Sequence, residues 1–154
     1  FGLSGARAYA AQHADAAERH VLGMESDLGA FQPFGLTARV GPDRLPLVRA
    51  MQSVVEPLGI AYLGTEASGG ADLGPMRELG MPVMDVKTDA APYFDLHHTA
   101  NDTFDKVDPA LVRQNVAAYA ALAYLAAQAD GAFGRLPKIG KPVGPVVAPA
   151  PPGH

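Results

Sequence analysis

No cysteine occurs in the 154 residues, which excludes a disulfide framework and thiolate metal sites, so any metal must be held by imidazole and carboxylate groups. Charged residues make up only 18% and sum to a formal −4. No cluster of Lys or Arg breaks that balance, so the electrostatic footprint of a nucleic-acid binder is missing. No apolar run approaches the roughly 20 residues of a membrane span; the Ala-rich stretch from Val116 to Ala129 is shorter and carries Gln128. No internal repeat is visible. The sequence starts at Phe1 without an initiator Met or a signal-like segment, so whatever targeting information the parent gene encodes is expected upstream, and the compartment is left open. What is present is 48% hydrophobic residues, enough for one domain with its own core.

The periodicity predicts an α/β fold. An Ala-rich helix runs from Leu3 to about Ala17 with Ser4 as its cap, and a short apolar strand, His20 to Met24, delivers Asp27 to a strand's C-terminal edge. Phe31 to Pro42, broken by Gly and Pro, reads as irregular or as a short edge strand. Helical spacing returns from Asp43 to Leu58, followed by a strand at Ile60 to Leu63, a Gly-rich loop over 66–73 and a short helix ended by Gly80. Pro82 to Val86 is a further strand. Asp108-Pro109 then opens a helix reaching about Ala129, with a capping carboxylate followed by Pro at the first helical position. Residues 1–131 thus form the domain, a mixed and largely parallel sheet flanked by helices, and 132–154 form an irregular Pro-rich tail. In such folds function gathers on the loops at strand C-termini.

Two loops carry the chemistry. The stretch Tyr93-Phe94-Asp95-Leu96-His97-His98-Thr99-Ala100-Asn101-Asp102-Thr103 packs an imidazole pair among carboxylates and hydroxyls in a segment expected to be loop. Met24-Glu25-Ser26-Asp27-Leu28-Gly29 is a second acidic site at the end of an apolar run. Both suit metal binding or acid–base work, and both have plainer readings: a His pair as a surface or capping feature, Asp27 as a turn cap. Asp72 reads as a helix N-cap and Asp102 as a cap of its own loop. His13 and His20 read as helix-end and strand-entry residues, His154 as a solvated terminus, and Tyr119 and Tyr124 as packing.

Taken together, Met24-Glu25-Ser26-Asp27-Leu28-Gly29, the doubled His97-His98 before Thr99-Ala100-Asn101-Asp102, the loop Ser68-Gly69-Gly70-Ala71-Asp72 and the strand entry Gly80-Met81-Pro82 resemble the two-zinc exopeptidases. That family holds aminopeptidases and glutamate carboxypeptidases, and the closest likeness is to its plasma glutamate carboxypeptidase (carboxypeptidase Q) branch. The resemblance implies a metal-activated water attacking short peptides. It implies Asp27 and His98 as ligands of two different zinc ions, His97 as a hydrogen-bond donor to the developing oxyanion, and Ser68, Gly69 and Gly70 as walls of the substrate pocket. Where relatives often read Ser-Asp-His, this sequence has Ala71-Asp72-Leu73, so any role of that His is not inherited.

The segment Phe1-Gly2-Leu3-Ser4-Gly5-Ala6-Arg7-Ala8-Tyr9 is similar to the stretch just after the family's Glu-Glu pair. The general base, its partner Glu, the first His and the bridging Asp are therefore expected in a missing N-terminal half. A single ligand per ion does not retain zinc, so the chain alone is expected to be inactive. Separation from that half should also leave an exposed strand edge and apolar face. Secretion or a periplasmic location is implied by the resemblance alone. The alternative is a peptidase-like binding domain that keeps the fold without the chemistry.

Overall fold

Val83 and Met84 are neighbours on one strand yet belong to different cores, because successive side chains of a strand point to opposite faces. The computed structural model describes residues 2–139; Phe1 and the stretch from 140 onward, including most of the Pro-rich segment and His154, lie outside the described residues. Four strands, β1 (Gly23–Met24), β2 (Pro33–Arg39), β3 (Ala61–Gly64) and β4 (Val83–Thr88), form one sheet in the order β1-β4-β2-β3. β1 runs parallel to β4 and β2 parallel to β3, while β2 and β4 are antiparallel, with Leu36 opposite Val86 and Ala38 opposite Met84. The sheet is mixed, as the sequence implies.

β2 corrects the sequence reading. The segment expected to be irregular or an edge strand is a seven-residue strand in the middle of the sheet, with Leu36, Thr37 and Ala38 buried. Its Gly and Pro have local reasons. Pro33 opens the strand, where a missing N–H is tolerated, and the register with β4 shifts between Pro33 and Gly35. A side chain at Gly35 would run into Leu63 of β3. Both residues thus accommodate strand entry and close approach; neither ends the strand.

Helices cover both faces. On one, α2 (Leu45–Val55) and α5 (Pro109–Gln128) pack together over Leu36, Ala38, Met84 and Val86. α2 contributes Val48, Met51 and Val55, one buried stripe at helical spacing. On the other, α1 (Ser4–Gln12) and α3 (Gly74–Glu78) enclose Ala10, Met76, Met81 and Val83. α1 is shorter than expected. It passes into a 3-10 segment, Ala14–Arg19, and Leu3, in the left-handed region at φ 61°, takes the N-cap position assigned to Ser4. Asp108 does cap α5, its Oδ1 accepting the Ala110 N–H at 2.7 Å.

After α5 the chain has no helix or strand through residue 139, but it is packed. Phe133 is fully buried in the α2–α5 core, and its carbonyl accepts the Gly41 N–H at 2.9 Å. The Leu136 N–H reaches Gly80 O at 3.1 Å, and Arg135 Nη2 bonds the carbonyls of Ala17 and His20. This segment ties the sheet's two helical layers together.

Candidate metal centre

The His pair lies in the turn expected for it, and only the start of that loop is helical. Tyr93–Leu96 forms one helical turn, α4, whose last backbone bond runs from the His97 N–H to Tyr93 O at 2.8 Å. His98 then adopts φ 58°, the left-handed region that a non-glycine residue rarely enters and that concentrates at functional sites. The Thr99 N–H and hydroxyl both donate to Leu96 O, at 3.0 and 2.7 Å, and hold the reversal. Consequently the two imidazoles stack with centroids 3.7 Å apart, and Tyr93 stacks on His97 at 4.6 Å.

Asp27, His97 and His98 line one cleft of about 360 Å³, together with Tyr93 and Asp102. Partial desolvation, followed by the charges of Asp27 and Asp102, pushes the Tyr93 phenol above its ordinary pKa. Both Asp27 and His98 line this cleft, and among the described residues neither makes a side-chain hydrogen bond or ion pair.

Asp27 also borders a second cavity, of about 370 Å³, lined by Ser68, Gly70, Asp85, Lys87 and Tyr119. In its wall the buried Asp85 of β4 accepts the Ser68 N–H at 2.8 Å, the Ser68 hydroxyl at 3.2 Å, the Gly69 N–H at 2.7 Å and Lys87 Nζ at 2.8 Å. Burial alone would raise the Asp85 pKa, but the hydrogen bonds from Lys87, Ser68 and Gly69 outweigh it and hold the carboxyl below its ordinary value. Ser68 and Gly70 therefore face the cavity, while the Gly69 N–H is turned into the protein. Arg77 Nη1 braces the same loop through Ser68 O at 2.7 Å.

The segment that carries Asp27 is held from two sides. The Tyr119 hydroxyl of α5 donates to Glu25 O at 2.7 Å, and the Asp72 N–H donates to Glu25 Oε2 at 2.9 Å. Burial is the main cause of a raised Tyr119 pKa, so this phenol stays a donor at neutral pH. Asp72, expected to cap a helix, contributes its backbone instead, and α3 begins after Leu73 without a side-chain cap. Tyr119 is the partly buried tyrosine of α5, whereas Tyr124 is exposed and does not pack.

Sequence reasoning missed Asp85, Lys87 and the anchoring role of Glu25. Asp85 had a readable signal, a lone carboxylate inside the apolar strand Pro82-Val83-Met84-Asp85-Val86, where a buried charge needs partners. His13 and His20 lie away from the cleft, clustered with Tyr9, whose hydroxyl is 2.8 Å from His20 Nε2.

One carboxylate and one imidazole facing a common cleft suit a divalent ion of zinc's ligand preference. Among the described residues, however, no three His, Asp or Glu side chains gather closely enough to hold an ion by themselves. The residues present fit as part of a metal site.

The arrangement has relatives. A crystal structure of a peptidase M28 precursor from Shewanella amazonensis SB2B superposes with a TM-score of 0.84 at 40% identity, over 89% of this chain and 31% of that one. Carboxypeptidase Q of Rattus norvegicus is 29% identical over 129 residues, and that of Homo sapiens 28% over the same length. In both cases the alignment takes in 84% of this chain but spans only 27% of the relative's length. With residues 1–123 matching peptidase family M28, the chain belongs to that family.

Proposed function

We propose that this chain is the C-terminal part of the catalytic domain of a zinc-dependent exopeptidase that hydrolyses short peptides. Asp27 and His98 would hold one zinc ion each. Two bound zinc ions supply a polarised carbonyl and a water of lowered pKa. His97, stacked between Tyr93 and His98, would donate a ring N–H to the carbonyl oxygen as negative charge develops there. The wall bearing Ser68 and Gly70, with Gly69 anchoring it to Asp85, would receive substrate beside Asp27. The remaining ligands and the general base would come from the part of the relatives that this chain does not span, so residues 1–154 alone neither retain zinc nor turn over peptide. No described helix is long and apolar enough to cross a membrane; secretion or periplasmic export is the location we attach to this reading.

The observation that supports it is the convergence of Asp27 and His98, from segments far apart in sequence, on one cleft, neither side chain making a hydrogen bond or ion pair among the described residues. His98→Ala in the full-length protein tests it. Hydrolysis of short peptides by the parent should disappear while its unfolding transition shifts little, because His98 is exposed and bonds to nothing else. Turnover retained in the variant would reject the ligand role. A parent with no peptidase activity and no zinc uptake would favour the binding-domain reading.

A further inference from the structure

Asp85 lies outside the cleft of Asp27 and His98, yet among the described residues it is the one charged side chain that is buried, and it is heavily hydrogen-bonded. Its two carboxylate oxygens accept from Ser68, Gly69 and Lys87, so its bonds are spent on holding the loop and the neighbouring strand residue. The consequence is felt along the loop it holds. With Ser68 and Gly69 pinned to β4, Gly69 and Gly70 take φ values of 81° and 88°. A Cβ on Gly70 would strike the Glu25 carboxylate, so loop and carboxylate are in direct apposition. The next turn presents the Asp72 N–H to Glu25 Oε2. Glu25 is in turn two residues from Asp27, and its carbonyl is held by Tyr119.

We propose that Asp85 is the positioning residue of Asp27: the buried carboxylate fixes loop 68–72, the loop fixes Glu25, and Glu25 fixes the segment that presents Asp27 to its ion. This rests on the metal-ligand reading of Asp27. His98 is placed by an independent device, the α4 turn and the Thr99 bonds to Leu96, so the two ligands are positioned separately. A defect in the Asp85 chain should therefore fall on one metal site.

The test uses the full-length protein as Asp85→Asn and as Glu25→Ala, the latter cutting the link without disturbing the core. Zinc titration by calorimetry should show one of two sites weakened about ten- to a hundredfold, the usual effect of losing a hydrogen-bond partner behind a ligand, with the other site unchanged. Hydrogen exchange in the metal-free protein should speed up at residues 25–29 in both variants and stay as in the parent around residues 97–99. Equal weakening of both sites, or unaltered exchange at 25–29 in Glu25→Ala, overturns the proposal. If the parent takes up no zinc, the metal reading fails while the exchange result still decides the positioning chain. Should Asp85→Asn not fold, Glu25→Ala carries both readouts alone.

Discussion

Asp85 is a buried carboxylate that accepts four hydrogen bonds. Asp85 stays ionised in the fold because its hydrogen bonds outweigh the cost of burial, and that balance has a pH signature. Its pKa is lower in the folded than in the unfolded chain. The stabilisation it contributes is therefore complete above the ordinary Asp value, about 4, and is lost as pH falls through the folded value beneath it. Urea unfolding followed from pH 6 downward should show the parent losing stability below about pH 4 more steeply than Asp85→Asn, which has no charge to lose there. Parallel pH profiles would show that Asp85 contributes nothing specific. Asp27 and His98 present the opposite case: among the described residues neither side chain is hydrogen-bonded or ion-paired, and the His98 backbone adopts an unfavourable φ as well.

At the scale of elements, capping and packing separate what could be read in advance from what could not. The start of α5 was legible because Asp108-Pro109 satisfies and pre-forms a helix N-terminus by local chemistry alone. Replacing Asp108 by Ala should cost about 1 kcal/mol in chemical denaturation; no change would mean the cap is redundant with α5's packing. α2 and β4 were legible from apolar spacing. β2 was not, since its Gly and Pro serve register and the close approach of Leu63, and only the neighbouring strands reveal that. The cap of α1 was missed for a similar reason, the left-handed Leu3 not being signalled by residue type. For the site, Asp27, His97 and His98 stood out as residue types in motifs. Asp85 and Tyr119 act through contacts between distant segments, and no local pattern announces those.

For the whole molecule, the sheet divides labour between its faces and its ends. The α2–α5 layer, completed by Phe133, forms the larger core, and Tyr119 reaches from it to the Asp27 segment. The α1–α3 layer supports the Gly-rich loop. Both cleft-forming segments follow strands directly or through one turn, α4 lying beyond β4 and Asp27 beyond β1, and these two strands are parallel neighbours. Their C-terminal ends share one rim, which is how residues remote in sequence meet. The central claim is that this rim presents two separate cation grips. Anomalous diffraction at the zinc edge from crystals of the zinc-loaded full-length protein measures it directly. Two peaks are expected in one cleft, one bonded to the Asp27 carboxylate and the other to the His98 imidazole; zinc bound with neither residue in contact would refute the two-grip reading.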